Sequence, residues 1–393
     1  MKNIIYLQSG GPTSAINASF YGVIKYFQEH EEIGRLLGAH FGLQGLIDDD
    51  LIEISKTKDY SALENIPGAI LGSARIKLDE EKNKEVYSKI VETLIKYDID
   101  YLLFNGGNDS MDSASKLNSY FRRNGLKTRV FGIPKTIDND LVITDHTPGF
   151  GSAVSYINKT IMEISLDISS YKKGRVTIIE LMGRDAGWLC ASSCLSSDYG
   201  LGPDLIYVPE VVFDKTQFIK QVKSIYETKG RVLVCVSEAL KDANREYIFA
   251  DNTHVDSFGH KQLGSVSKNL CDLISRELHY STRHIEFNLM QRCASHLSSS
   301  KDIKEAEECG YHAVKFALEG KEGGVIMVRN DDSSVTYSYA DLDKLANEVK
   351  LMPRDFLNKE GNNVSEKGKA YFEYFKDDSI EIPLVKELMP KNN

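Results

Sequence analysis

Two short runs in this chain carry residue types that could move a phosphoryl group. Gly106-Gly107-Asn108-Asp109-Ser110 joins a glycine pair to a carboxylate, and Pro134-Lys135-Thr136-Ile137-Asp138-Asn139-Asp140 joins a lysine and a hydroxyl to two more carboxylates. Paired glycines let backbone N–H groups approach phosphate oxygens closely. A carboxylate nearby can hold a metal or take a proton from an attacking hydroxyl. Lys135 is a point charge suited to phosphate, and a neighbouring lysine keeps Asp138 ionised and able to act as a base. Each run directly follows an apolar stretch, Tyr101 to Phe104 and Arg129 to Ile133, that reads as a buried parallel strand. Both runs are therefore expected at the carboxyl ends of neighbouring strands, where open α/β sheets bind ligands. Phosphoryl transfer is the chemistry this predicts. Taken singly, each run has a plainer reading: Asp109 and Ser110 as caps of a helix start, and Asp-Asn-Asp as a turn or a calcium-loop fragment.

A third glycine turn, Ser9-Gly10-Gly11-Pro12-Thr13-Ser14, follows the first apolar run and opens a helix. Helix N-termini favour anions, although a tight turn capped by Ser14 accounts for this segment equally well. Asn108 can offer a carbonyl oxygen to Mg²⁺, and Asp109 puts negative charge where a bulky polyphosphate tail would otherwise lie. Further on, Arg175 precedes a strand that ends in Glu180-Leu181-Met182-Gly183-Arg184, Glu238 follows another strand, and Arg283 and Arg292 flank His284–Gln291. Arginines in an acidic protein are usually solvated, but those at strand ends can face a ligand.

The elements that must position these residues alternate. Strand-like runs at Asn3–Leu7, Tyr101–Phe104, Val130–Ile133, Val176–Leu181, Leu205–Val208, Val232–Val236 and Gly324–Val328 are separated by helix-like stretches. The latter include Ala15–Glu29, Lys84–Tyr97, Asp112–Arg123, Gly151–Ser165, Phe213–Glu227 and Asp302–Leu318. This rhythm implies an α/β protein with one or two parallel sheets covered by helices on both faces. The turn-rich Asp138–Gly149 is the best crossing point between two domains, Lys241–His260 reads as an irregular surface excursion, and the tail from Pro353 as peripheral helix and coil.

The chain has 393 residues, 41% hydrophobic and 27% charged, which permits a large core and two or three domains. Its net charge of -9 disfavours nonspecific binding to nucleic acid or to an anionic membrane, so an anionic substrate needs a local basic cluster. Six cysteines show no zinc-ligand spacing and read as reduced structural thiols. The N-terminus enters a strand at once and no apolar run reaches membrane-spanning length, which predicts a cytoplasmic protein.

Taken together, Gly10-Gly11, Leu71-Gly72-Ser73-Ala74-Arg75, the two phosphoryl runs, Met182-Gly183-Arg184, Pro209-Glu210, Glu238 and Gln291-Arg292 resemble the phosphofructokinases, and within them the pyrophosphate-dependent enzymes. The resemblance spans roughly residues 3 to 330. It implies two doubly wound parallel-sheet domains of related build with the active site in the cleft between them. Their expected bounds are 1–149 with 291–342 for the diphosphate donor, and 150–290 with 343–393 for the sugar phosphate. It also implies an Mg²⁺-dependent homodimer or homotetramer that transfers phosphate reversibly between pyrophosphate and the C1 hydroxyl of fructose 6-phosphate.

Carried onto this sequence, the resemblance makes Asp138 the base, supported by Thr136 and Asp140, with Gly11 on the donor and Arg75 on the transferring group. Met182, Gly183, Arg184 and Glu238 would hold the sugar, and Arg175, Arg283 and Arg292 its 6-phosphate, Arg175 and Arg283 coming from a neighbouring subunit. Asp109 and Lys135 stand where ATP-using relatives carry glycine, which predicts pyrophosphate as donor. Two positions depart from the pattern: Asn108 replaces the usual metal-binding aspartate, and Leu289 replaces a histidine or tyrosine that reaches the sugar phosphate. Rival readings are a sedoheptulose 7-phosphate kinase of the same fold, a non-catalytic regulatory subunit, and an ATP-dependent kinase.

Overall fold

A computed structural model of the chain describes residues 1–74, 76–255, 261–346 and 348–376, and side chains other than those of 250–263. Among these residues thirteen strands occur in chain order: β1 Lys2–Gln8, β2 Ile33–Ala39, β3 Leu51–Glu53, β4 Tyr101–Gly106, β5 Arg129–Pro134, β6 Val176–Leu181, β7 Leu205–Tyr207, β8 Val232–Ser237, β9 Ala250–Val255, β10 Lys261–Leu263, β11 Thr282–Glu286, β12 Gly323–Arg329 and β13 Val335–Ala340. They fall into two compact units. The first comprises Met1–Ser152 with Arg292–Lys350, and the second Ala153–His254, Lys261–Gln291 and the chain from Leu351.

The first unit holds a seven-stranded sheet ordered β13-β12-β5-β4-β1-β2-β3. Its centre is parallel, and β3 and β13 add antiparallel edges. Ile4 to Leu7 in β1 and Leu102 to Phe104 in β4 are fully buried. That is why these strands read as continuous apolar runs rather than as alternation. From β1 the chain proceeds to β2 on one side, while β4 and β5 lie on the other, so the strand order reverses between β1 and β4. The crevice beyond the carboxyl ends at such a reversal is the preferred ligand position of an open α/β sheet.

The second unit holds an all-parallel sheet ordered β11-β6-β8-β7. β6 and β8 are buried along their whole length.

Two helices of the first unit pack closely against each other. Ile16–Glu29, which follows the Gly10-Gly11 turn, crosses Ser300–Leu318 with glycine on both sides: a Cβ on Gly22 would land on the carbonyl of Glu307, and one on Gly310 on that of Ser19. This close approach brings Asp302 and Glu305 of the second helix to the segment that follows Asp140.

The predicted helices form, with ends shifted by a few residues: Asn108–Arg123 starts four residues before the expected Asp112, and Phe150–Ser169 runs four beyond Ser165. Three expectations are corrected. The first-helix turn is capped by Thr13 rather than Ser14, since Thr13 Oγ1 accepts the N–H groups of Ala15 (3.2 Å) and Ile16 (3.0 Å). Part of the expected irregular stretch Lys241–His260 is strand β9, which pairs with β10, and its residues 256–260 lie outside the described ones. Five cysteines are buried free thiols, as structural thiols should be, but Cys293 is exposed.

Candidate active site

In the first unit, three strand ends bring the predicted donor residues together. β1 delivers Ser9-Gly10-Gly11, β4 delivers Gly107-Asn108-Asp109 and the helix Asn108–Arg123, and β5 delivers Lys135-Thr136. Lys135 is 2% exposed, and its Nζ donates to the carbonyl of Gly11 at 2.7 Å. A Cβ on Gly10 would sit 3.4 Å from the same Nζ, and one on Gly107 would sit 3.4 Å from the carbonyl of Lys135. Both glycine pairs therefore run directly against the lysine. Ser110 Oγ donates to Ser9 Oγ at 2.9 Å, tying the first glycine turn to the second. Asp109 is exposed in the first turn of its helix, which begins without a side-chain cap at Gly107. The arrangement is a backbone cradle with one buried lysine and one solvent-exposed carboxylate, at a helix N-terminus that favours an anion.

The turn after Lys135 is held tightly. Thr136 Oγ1 accepts the N–H of Asp138 at 3.0 Å, and the carbonyl of Thr136 accepts Thr147 Oγ1 at 2.8 Å. Asn139 is fully buried with φ 55°, so the chain passes through the left-handed region between the half-buried Asp138 and Asp140. Beyond the turn, Asp302 accepts the N–H groups of Gly149 (2.9 Å) and Ser152 (3.2 Å). Burial pushes its carboxyl up to about 6.

His146 closes the same segment. It is fully buried, with Nδ1 2.7 Å from Asp145 Oδ2 and Nε2 2.9 Å from Glu305 Oε2. Burial alone would lower its pKa, but the two carboxylates overcome that and hold it above the ordinary 6.5. Burial likewise works against ionised Asp145, and His146, Arg329 and Lys350 outweigh it and hold the carboxyl below 3.8. A raised histidine contributes stability fully below its unfolded pKa and loses it as pH rises through the folded one; a depressed aspartate contributes above its unfolded pKa. The pair is therefore most stabilising between pH 3.8 and 6.5. The melting midpoint of the wild type should fall more steeply than that of His146→Gln as pH rises above 6.5. Parallel curves from pH 5 to 9 would refute the assignment.

Arg292 lies in the first unit, with its guanidinium against Gly11: a Cβ there would sit 2.7 Å from Nη1. It thus adds positive charge beside the first glycine turn, a place the sequence did not suggest. Leu289, three residues before it, is exposed. Arg75 lies outside the described residues.

The second unit gathers the predicted sugar residues at the carboxyl ends of β6 and β8. Gly183 has φ 136°, and a Cβ there would clash with the carbonyl of Ala186. Arg184 takes the left-handed φ of 49°, and its N–H donates to Glu238 Oε1 at 3.1 Å. The N–H of Met182 is 3.4 Å from Gln291 Oε1, a buried glutamine that orients this loop. Arg175 and Arg283 do not join them. Arg175 precedes β6 and Arg283 pairs beside Thr177, so both stand at the amino end of the strands, exposed, a strand length from Met182. Arg283 Nη1 lies 3.7 Å from Asp167 instead.

No group of three or more His, Cys, Asp or Glu able to cage a metal occurs among the described residues. The Asn108 amide nitrogen donates to the carbonyl of Glu348 at 2.7 Å, which turns its oxygen edge away from that carbonyl. A single neutral oxygen in the first turn of the helix Asn108–Arg123 fits Mg²⁺, which usually keeps waters and substrate phosphates in its shell.

The match of residues 3–317 to the model of the family described as phosphofructokinase decides what this architecture is. The chain belongs to the phosphofructokinase family. Its similarity to individual members extends over nearly the whole length. It is 38% identical over 383 residues to the pyrophosphate–fructose 6-phosphate 1-phosphotransferase of Xanthomonas campestris, and 36% identical over 379 residues to that of Halomonas elongata. Each alignment covers 94% of this chain and 90% of the relative. The crystal structure of a pyrophosphate-dependent phosphofructokinase from Nitrosospira multiformis has a TM-score of 0.85 at 31% identity, covering 96% of this chain and 92% of that one. Enzymes of this phosphofructokinase family generally use a divalent metal.

Proposed function

We propose that this phosphofructokinase transfers a phosphoryl group from inorganic pyrophosphate to the C1 hydroxyl of fructose 6-phosphate, reversibly, giving fructose 1,6-bisphosphate and phosphate. The observation that carries the donor assignment is buried Lys135 gripping the Gly11 carbonyl beside solvent-exposed Asp109. A compact diphosphate fits against that cation, while a carboxylate in the path of a longer tail repels ATP.

In this reading Asp138 takes the proton from the C1 hydroxyl as it attacks the distal phosphorus in line, and Thr136 and Asp140 keep the base in place. Lys135, Arg184 and Arg75 stabilise charge on the equatorial oxygens, and Gly11 donates to the diphosphate. Met182, Gly183, Arg184 and Glu238 hold the sugar. Arg292, for which a 6-phosphate contact was expected, lies against Gly11 and bears on the donor as well. Arg175 and Arg283 serve a neighbouring copy in a homodimer or homotetramer, in keeping with their place at the far end of the strands. Asn108, through its side-chain oxygen, would help to hold Mg²⁺, which would supply neutralisation of phosphate charge. The setting is cytoplasmic sugar phosphate metabolism, glycolytic or gluconeogenic. No helix among the described residues is long and apolar enough to cross a membrane.

The sugar assignment is tested by offering fructose 6-phosphate and sedoheptulose 7-phosphate in turn, with pyrophosphate and Mg²⁺, and following the product by phosphorus NMR. A C1 phosphate ester formed preferentially from fructose 6-phosphate is expected. Preference for the seven-carbon sugar would overturn the substrate, and absence of turnover with either would point to a regulatory subunit.

A further inference from the structure

Lys350 is remote in sequence from both phosphoryl runs, yet it meets the Asp138-Asn139-Asp140 turn at two points and the segment that follows it at two more. Its backbone N–H donates to the carbonyl of Asp140 at 2.8 Å. Its Nζ donates to Asn139 Oδ1 (3.2 Å) and to the carbonyls of Thr144 (3.2 Å) and Asp145 (2.8 Å). These are the acceptors that a buried ammonium requires, since an unpaired one would be costly. Burial pushes Lys350 down to about 8, against the pull of the Asp145 and Asp140 carboxylates. Asn139, the side chain it grips, is the fully buried residue with φ 55°, a conformation a non-glycine residue keeps only when its surroundings hold it. Two residues before Lys350, the carbonyl of Glu348 accepts the side-chain amide of Asn108. One short segment thus fastens both loops of the donor cradle.

We propose that Lys350 is a positioning residue that sets the Asp138-Asn139-Asp140 turn for proton transfer. The proposal rests on the reading of Asp138 as base. Lys350 reaches the turn through Asn139 and the Asp140 carbonyl and anchors the following segment through the carbonyls of Thr144 and Asp145, so its removal should disturb the placement of the carboxylates rather than the affinity of the cradle. A misplacement of about 1 Å at a reacting group can cost roughly 100-fold in rate.

The test compares full-length wild type, Lys350→Met and Lys350→Arg for kcat, for KM of both substrates, and for amide hydrogen exchange in peptides spanning residues 136–146. Lys350→Met should lower kcat by roughly 10- to 100-fold while each KM stays within about 3-fold, with faster exchange confined to those peptides. Lys350→Arg, which keeps the charge, should recover part of the turnover. A folded Lys350→Met with kcat within about 2-fold of wild type, or a loss confined to KM, overturns the proposal. So does a loss of turnover with unchanged exchange over 136–146. Should Lys350→Met not fold, Asn139→Gly keeps the left-handed backbone while removing the Nζ acceptor. Lower kcat with faster local exchange is then expected, and no change in either overturns the idea. Asp138→Asn in the same assay separates the two claims: wild-type turnover there would remove the base, while the exchange data still decide whether Lys350 holds the turn.

Discussion

Asp138→Asn is expected to reduce kcat by roughly 10²- to 10⁴-fold, the usual contribution of a positioned general base, with little change in KM for either substrate. The substitution is nearly isosteric and keeps the N–H of Asp138 on Thr136 Oγ1, so the turn should survive it. What it removes is the basic oxygen pair. Because Asn139 and Lys350 hold the turn from the other side, the melting midpoint should move little. A loss of less than about 100-fold would mean that another group takes the proton. Asp140→Asn is the useful companion, since a supporting carboxylate should cost less than the base itself.

The second large effect concerns the donor. Lys135→Gly should lower turnover with pyrophosphate by roughly 10²- to 10³-fold, comparable to removing one donor from a charge-stabilising site. It also removes the bond from Nζ to the Gly11 carbonyl, so a lower melting midpoint is expected alongside. Asp109→Gly alone should change pyrophosphate use little, because the role proposed for this exposed carboxylate is repulsion of a longer polyphosphate. The double variant should gain ATP-dependent turnover, since a like charge facing a polyphosphate costs several kcal/mol and its removal can raise kcat/KM by about 10-fold or more. Failure of the double variant to use ATP would show that other positions also close the pocket.

The donor cradle was legible because parallel strands buried on both faces announce themselves as apolar runs, and the residues just past them are pinned to one edge of the sheet. Tyr101–Gly106 and Arg129–Pro134 are such strands, and knowing their ends locates Asp109 and Lys135. The edge strands β11 and β13 gave no such signal. Thr282–Glu286 is mostly exposed and polar, and Val335–Ala340 is only partly covered, so neither carries an apolar run. Ile33–Ala39 is buried toward its end, but Gly34 and Arg35 interrupt its pattern. The contacts that stiffen the site were invisible for another reason. Lys350 meets Asn139 across 211 residues, and Asp302 meets Gly149 across 153, with no local periodicity to betray either. The placement of Arg292 against Gly11 is likewise a product of tertiary packing, since its neighbours in sequence gave no clue beyond the charge. Thr13 and Ser14 are both capping types, and only the path of the turn chose between them.

The most direct test of the account is a side-by-side rate measurement on the purified chain with Mg²⁺ and fructose 6-phosphate, supplying pyrophosphate as donor in one assay and ATP in the other. Turnover with pyrophosphate, and little or none with ATP, is the predicted result. Turnover with ATP alone would contradict the roles given to Asp109 and Lys135, and silence with both donors would contradict the assignment of this chain as the catalyst.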